Sequence, residues 1–106
     1  MKEWTVTYSD AAKEDISEIG HYIAEVLCAP ETAKNQVLRI IGQISELSFM
    51  PEKFPIYDTD ECREFDLRRM NVDNFAVLYS VNNEIDGVSI VRVFYGGRDI
   101  NTILSS

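Results

Sequence analysis

The sequence contains few of the residues from which most catalytic sites are built. It has one histidine and two cysteines in 106 residues, and Cys28 and Cys62 lie too far apart to form a metal-ligand motif. His21 falls on the polar side of a predicted helix, where a lone surface histidine is a poor general base. We therefore expect no metal site, no cofactor and two free thiols.

Long hydrophobic runs are also missing. The apolar runs are too short to span a bilayer, and residues 1–20 lack the apolar stretch of a signal peptide. Hydrophobic residues nevertheless make up 45% of the chain, which argues against disorder. We expect one soluble, cytoplasmic domain over residues 1–106, without membrane contact.

Positive charge is scarce and unevenly placed. A net charge of −8 disfavours binding to nucleic acid through the phosphate backbone alone. Residues 1–61 hold 5 Lys and Arg against 12 Asp and Glu, whereas residues 62–106 hold 5 against 6. The five cations of the second part are all arginines: Arg63, Arg68, Arg69, Arg92 and Arg98. A polyanion or an acidic partner segment would dock here, but five ordinary surface ion pairs explain the pattern equally well.

Periodicity predicts a strand followed by two helices. Residues 4–9 alternate β-forming residues, and Ser9 or Asp10 then offers a helix N-cap. The first helix has an apolar stripe, with Asp15 among the residues that face water. The stripe consists of Ala12, Ile16, Ile19, Ile23, Val26 and Leu27.

The second helix begins at Pro30 and ends near Met50, before Pro51. Its apolar stripe consists of Ala33, Val37, Ile40, Ile41, Ile44 and Leu47. The joint between the helices is tight, which predicts an antiparallel helical hairpin with Cys28 buried at the joint.

Three strands follow a loop rich in proline and aspartate. The first spans residues 62–70, with Phe65 and Leu67 on one face and Glu64, Asp66 and Arg68 on the other. The second spans residues 74–81, with Phe75, Val77, Tyr79 and Val81 on one face. The last, residues 88–95, is apolar on both faces and should lie centrally. Its two faces carry Ser89, Val91, Val93 and Tyr95, and Val88, Ile90, Arg92 and Phe94.

The element order predicts an α+β domain of β-α-α-β-β-β type. The simplest packing places the two-helix hairpin on one face of a mainly antiparallel sheet, with a short C-terminal helical tail. Because the last strand is apolar on both sides, the tail or a partner should cover part of the other face.

The arginines and the segment after the last strand are the candidate site. In an antiparallel sheet Arg68, Arg92 and Arg98 could share the open face or its rim and hold phosphate or carboxylate. Alternatively, Arg68 and Arg92 pair with Glu64 or Asp66 across the sheet. Gly96 and Gly97 allow a sharp turn and Asp99 can cap the tail helix, which leaves Arg98 without a structural reason.

Five stretches keep a common order and spacing over residues 4–104: YSDAAKEDISEIGHYIAE, PETA, LSFMPEKFP, LRRMNVDNFAVLYSV and VSIVRVFYGGRDINTIL. Together they resemble the RelE/ParE superfamily of toxins from bacterial type II toxin–antitoxin modules. The ParE-like branch, which includes plasmid stabilisation proteins, is closer than the RelE or YoeB branches. The combination carries the resemblance: an arginine-rich strand, a tyrosine-containing strand, a hairpin, and a strand followed by Gly-Arg-Asp.

The resemblance implies a toxin that inhibits growth and a cognate antitoxin that folds a disordered segment around it. ParE-like members poison DNA gyrase and need no catalytic residue of their own, which makes gyrase the first candidate target. Arg63, Arg69, Arg92 and Arg98 would then contact the target or the antitoxin. Toxins of this family tend to be basic and their antitoxins acidic, whereas this chain is acidic.

Two other hypotheses remain. RelE-like members cleave mRNA in the ribosome with arginines, lysines and a tyrosine, and the residues that match are Arg68, Tyr95 and Arg98. Ala76 stands where those toxins have an arginine, and Glu64 and Asp66 stand where they have lysines; carboxylates there would oppose phosphorane stabilisation. The third hypothesis is a degenerate, non-toxic binding module.

Overall fold

The structure, a computed structural model, describes residues 3–105. In chain order the elements are β1 (Thr5–Tyr8), α1 (Asp10–His21), a π-helical segment (Tyr22–Val26), α2 (Pro30–Glu46), α3 (Asp60–Glu64), β2 (Arg68–Val72), β3 (Phe75–Asn82), β4 (Gly87–Tyr95) and α4 (Ile100–Ser105). Within this part of the chain, no helix combines the length and the hydropathy that crossing a membrane requires.

The four strands form one sheet in the order β1-β4-β3-β2. β4 pairs in parallel with β1 and antiparallel with β3, and β3 pairs antiparallel with β2. The predicted α+β arrangement is confirmed, and so is the central position of β4 that its two apolar faces indicated.

The helical hairpin covers one face of the sheet, which we call the helix face. Ser9 caps α1 as predicted, since its Oγ accepts a hydrogen bond of 3.0 Å from the backbone N–H of Ala12. The main core joins helix residues to the helix face of the sheet; its buried members include Ala12, Ile40, Ile44, Leu47, Met70, Val77, Tyr79, Val88, Ile90 and Val93.

The end of the first helix differs from the prediction. The backbone N–H of Leu27 bonds to the carbonyl of Tyr22, five residues back, at 3.1 Å. This π-helical turn shifts the apolar stripe away from the core. Val26 and Leu27 are therefore exposed, and Cys28, at φ 53°, is exposed rather than buried; both cysteines are free thiols, as predicted.

β2 is shorter than the strand predicted over residues 62–70. Thr59 caps a helical turn by accepting from the N–H of Cys62 at 3.2 Å, so α3 occupies residues expected to be extended. The acidic residues Asp60 and Glu61 favour a helix N-terminus, and Asp66 ends the turn with φ 53°. The predicted alternation is therefore wrong before Arg68: Leu67 is buried, but Phe65 is exposed.

The opposite face of the sheet, which we call the open face, is half covered. Cys62 and Leu67 from the α3 region and Ile100 and Ile103 from α4 pack on Ala76, Leu78 and Phe94. Asp99 caps α4 as predicted, accepting a hydrogen bond of 3.1 Å from the N–H of Asn101. The C-terminal tail is thus part of the cover that a two-sided apolar strand requires.

A β-bulge in β4 changes which residues share a face. Leu78 pairs with Arg92, but the next residue, Tyr79, pairs with Ile90, so Val91 has no partner in β3. Val93 consequently joins Val88 and Ile90 in the main core, in contrast to the strict alternation predicted from sequence.

Tyr79 provides a test of the core through pH. Burial raises the pKa of this phenol to about 12, and its hydroxyl donates a hydrogen bond of 2.7 Å to the carbonyl of Pro51. Since the folded state holds this proton more tightly than the unfolded chain, its contribution to stability is complete below about pH 10 and is lost as the pH rises through about 12.

We expect Tyr79→Phe to lower the free energy of unfolding by about 1 kcal/mol at neutral pH, through the lost hydrogen bond. The variant should also lose less stability between pH 10 and 12 than the wild type. Urea unfolding at several pH values measures both effects. Tyr22→Phe, which removes an exposed hydroxyl, is the control and should follow the wild type; equal alkaline slopes for Tyr79→Phe and the wild type would contradict the prediction.

Candidate functional site

The turn after β4 fixes the position of Arg98. The N–H of Gly96 bonds to the carbonyl of Asn74 at 2.8 Å, and the N–H of Arg98 bonds to the carbonyl of Tyr95 at 3.0 Å. A Cβ at Gly97 would lie 2.8 Å from the ring of Tyr95, so any side chain there would have to displace the ring. The turn therefore holds Tyr95 and Arg98 close to one another at the end of the central strand.

Arg69 is the arginine that the structure brings to this turn. It lies in β2 on the open face, where its Nη2 donates a hydrogen bond of 3.2 Å to the carbonyl of Gly96. Its guanidinium lies 4.7 Å from the ring centre of Tyr57 and 5.8 Å from that of Phe94, distances that suit cation–π contact. Arg69 is thus held in place by the segment that carries Arg98.

Arg69 and Arg98 line one pocket, which we call the arginine pocket. It has a volume of about 420 Å³ and is bounded by Tyr57, Thr59, Asp60, Glu61, Arg69, Gly96, Arg98, Asp99, Ile100 and Asn101. Arg98 is exposed and makes no side-chain hydrogen bond or ion pair with any of residues 3–105. The guanidinium of Arg98 is therefore not occupied by any group of residues 3–105 and can bind a group of another molecule.

The carboxylates of the arginine pocket have contacts of their own. Asp60 accepts a hydrogen bond of 2.6 Å from Arg63, and Asp99 caps α4. With the side-chain amide of Asn101 oriented to satisfy both groups, its nitrogen donates to Glu61 Oε2 at 2.8 Å and so joins α3 to α4. The pocket presents cations and anions together rather than a purely positive surface.

Arg92 lies apart from this pocket and binds inside the protein. Its Nε lies 2.7 Å from Oδ2 of Asp15, its Nη2 lies 3.0 Å from Oδ1, and its Nη1 donates to the carbonyl of Ile103 at 2.8 Å. The hydrogen bonds that Arg92 donates to Asp15 are the main reason that the pKa of Arg92 is raised. The alternative pairing of Arg92 with Glu64 or Asp66 is not found.

Arg68 is also separate from Arg98. It lies at the rim of the sheet on the helix face, opposite to the face on which Leu67 packs, and its Nη1 donates to the carbonyl of Phe54 at 2.6 Å. A carboxylate oxygen of Glu52 lies 3.9 Å from its Nη2. The expectation that Arg68, Arg92 and Arg98 come together on the open face or its rim is therefore wrong, because Arg68 binds the carbonyl of Phe54 on the helix face and Arg92 binds Asp15.

Two further predicted residues, Arg63 and Tyr95, lie next to residues that line the pocket. Arg63, on α3, forms exposed ion pairs with Asp58 and Asp60. Tyr95 is 56% exposed, and its ring meets that of Phe75 edge to face with centroids 6.3 Å apart. His21 is exposed at the end of α1, away from these groups. Within residues 3–105, no three His, Cys, Asp or Glu side chains converge as a metal site would require.

Sequence reasoning missed Asp15 and Tyr57. Asp15 is 8% exposed, although it was expected to face water. Its spacing of three residues from Ala12 and four from Ile19 nevertheless fits the buried stripe of α1, so the position of Asp15 along the helix indicates the buried side. Tyr57 lies in an irregular loop, where no periodicity marks a contact with a distant strand.

A comparison with models of protein families gives a match over most of the chain. A family model described as the ParE toxin of type II toxin–antitoxin system, parDE, matches residues 6–100. A comparison with the sequences of curated proteins finds no match.

Solved structures show the same fold at low sequence identity. A chain of the chromosomal ParDE toxin–antitoxin system from P. aeruginosa has a TM-score of 0.71 at 19% identity, covering 88% of this chain and 96% of that one. The RelBE2 complex from Mycobacterium tuberculosis gives 0.65 at 16%, covering 90% and 93%. A free mutant of the E. coli toxin RelE gives 0.66 at 11%, covering 97% and 92%. The predicted RelE/ParE-type fold is thereby confirmed.

The ion pair between Asp15 and Arg92 is open to a stability test. Asp15→Asn removes a carboxylate that pairs with a guanidinium only 17% exposed, and we expect a loss of about 3 kcal/mol in the free energy of unfolding. Adding Arg92→Met to this variant should recover part of the loss, because both charges are then gone. Urea unfolding followed by circular dichroism measures the three values.

Glu14→Gln is the control, since it removes an exposed carboxylate from the same helix. It should change stability by less than about 0.5 kcal/mol. A loss for Asp15→Asn no larger than for this control would show that the buried carboxylate does not hold the strand.

Proposed function

This chain belongs to the ParE toxin family of type II toxin–antitoxin systems, and from that premise we propose that it arrests growth by binding a macromolecular target in the cytoplasm. DNA gyrase is the proposed target, the surface around Arg98 is the proposed contact, and a cognate antitoxin neutralises the toxin. The solved relatives include toxin–antitoxin complexes, which supports the antitoxin as a partner.

The free guanidinium of Arg98 is the observation that carries the proposal. The side chain of Arg98 makes no hydrogen bond with residues 3–105. The other four arginines of this half of the chain each donate a hydrogen bond to a group of the protein: Arg63, Arg68, Arg69 and Arg92. Arginine is enriched among the residues that dominate protein interfaces. Arg69 supports this contact by fixing the carbonyl of Gly96, two residues before Arg98.

A binding role fits the site better than phosphate chemistry does. Stabilising the charge of a cleaved phosphate requires several cations aimed at one point. The arginine pocket instead places Asp60, Glu61 and Asp99 beside Arg69 and Arg98, and Arg68 lies on the helix face. A protein surface with groups of both signs meets such a pocket more favourably than RNA.

One observation favours a second candidate, a ribosome-dependent mRNA endoribonuclease. The ring of Tyr95 lies against Gly97, directly before Arg98, so a phenol lies beside the turn that carries the free guanidinium. That pair could act on a bound RNA if the ribosome supplied the missing cations.

Expression without antitoxin separates these functions. We expect growth arrest with DNA breaks and DNA-damage signalling, intact mRNA 5′ ends, and inhibition of supercoiling by purified gyrase. Arg98→Ala should weaken gyrase inhibition by about 10- to 30-fold, the loss typical of an interface arginine. Arg39→Ala is the matched control, because it removes an exposed arginine from α2 instead, and it should act like the wild type.

Three other results of this experiment would contradict the gyrase proposal or the role of Arg98 in it. New mRNA 5′ ends that disappear with Tyr95→Phe or Arg98→Ala would replace the gyrase proposal with the ribonuclease. Arrest that is unaffected by Arg98→Ala would remove Arg98 from the contact. Absence of any growth effect, with antitoxin binding retained, would identify a degenerate module.

A further inference from the structure

A second groove lies on the open face, beside the arginine pocket. We call it the apolar groove. Phe65, Leu67, Ser80, Val91 and Leu104 line it, and its volume is about 460 Å³. Glu61 and Asn101 line both cavities, so their hydrogen bond separates the two. Neither Arg98 nor Arg69 lines this groove.

Phe65 leaves an aromatic ring in water at the edge of this groove. Its side chain follows the α3 turn and is 62% exposed, whereas the next apolar residue, Leu67, is 4% exposed. A large aromatic side chain next to an apolar cavity is the kind of group that a partner buries as an anchor.

The surroundings of the apolar groove are acidic. Glu61 lines it, and Glu64 and Asp66 flank Phe65 along the chain. The carboxylates of Glu64 and Asp66 are exposed and make no hydrogen bond or ion pair with residues 3–105. They are free to pair with a partner's cations.

Arg92 does not offset the acidic charge around the groove. It is the chain neighbour of Val91, but its guanidinium is bound to Asp15. This arginine is therefore already paired with a carboxylate of the protein.

These charges select among possible occupants. RNA is disfavoured, because its phosphates would meet free carboxylates. A second copy is disfavoured as well, since it carries the same net charge of −8 and like charges placed across an interface oppose association. A segment with both apolar and cationic side chains can pack its apolar groups in the groove and pair its cations with the carboxylates at the rim.

We propose that the apolar groove binds a cationic amphipathic segment of the cognate antitoxin. An apolar side chain of that segment packs between Phe65 and Leu104, and its Lys or Arg side chains pair with Glu61, Glu64 and Asp66. The inference rests on the toxin–antitoxin assignment under Proposed function. It reverses the charge balance implied by the resemblance, in which basic toxins bind acidic antitoxin segments.

The test uses the full-length toxin and full-length antitoxin expressed together. Hydrogen exchange of the complex should show protection at toxin residues 61–67 and 100–105. It should also show a protected antitoxin segment that contains more Lys and Arg than Asp and Glu. A protected segment with an excess of acidic residues would overturn the proposal.

Affinity measurements then test the apolar contact at Phe65 and the acidic residues at the rim of the groove separately. We expect Phe65→Ser to raise the Kd for the antitoxin by on the order of 30-fold. Glu64→Lys combined with Asp66→Lys should raise it by about 10-fold at low salt and by less at high salt. The controls are Ile85→Ser and Glu84→Lys, which make the same changes at exposed positions in the β3–β4 turn and should leave the Kd unchanged.

Failure of this inference is distinguishable from failure of the proposed target. Antitoxin affinity is measured without gyrase, so it stands whether or not gyrase is inhibited. Variants that keep antitoxin affinity but lose growth arrest would assign the groove to the target and overturn the inference. Binding of a 12-nucleotide single-stranded RNA that is lost with Phe65→Ser would overturn it in favour of RNA, and thermal unfolding confirms that each variant is folded.

Discussion

The carboxylate of Asp15 is the contact on which the arrangement of this molecule depends. It accepts hydrogen bonds from Arg92 and, at 3.0 Å, from the backbone N–H of Val93. Arg92 in turn holds the carbonyl of Ile103 in α4. One buried carboxylate therefore fastens the first helix, the bulged central strand and the C-terminal helix to one another, and it supplies a hydrogen-bond acceptor where β1 no longer pairs with β4.

The bulge that Asp15 supports decides what each face of the sheet contains. It turns Val93 into the main core and Phe94 onto the open face, where the ring of Phe94 lies near the guanidinium of Arg69. Because Arg69 also holds the carbonyl of Gly96, the bulge indirectly positions the turn that carries Arg98. Strand bulges often redirect side chains next to functional sites in this way.

The open face is divided into two surfaces of different character. α3 and α4 meet at the contact of Glu61 with Asn101, with the arginine pocket on one side and the apolar groove on the other. The proposed target contact and the proposed antitoxin groove are therefore different surfaces of one small domain, and under these proposals neutralisation need not depend on competition for Arg98. Binding at one surface can still influence the other, since α4 contributes residues to both.

The sequence by itself determined the element order, the helical hairpin, the caps at Ser9 and Asp99, the central position of the last strand, and the resemblance to RelE/ParE toxins. These features follow from local periodicity, turn residues and spacing. Only the tertiary structure decided that Asp15 binds Arg92 and that Arg69, rather than Arg68 or Arg92, accompanies Arg98. The reason is physical: Asp15 and Arg92 are 77 residues apart, and neither periodicity nor residue type specifies which distant segments meet or where a bulge changes the register of a strand.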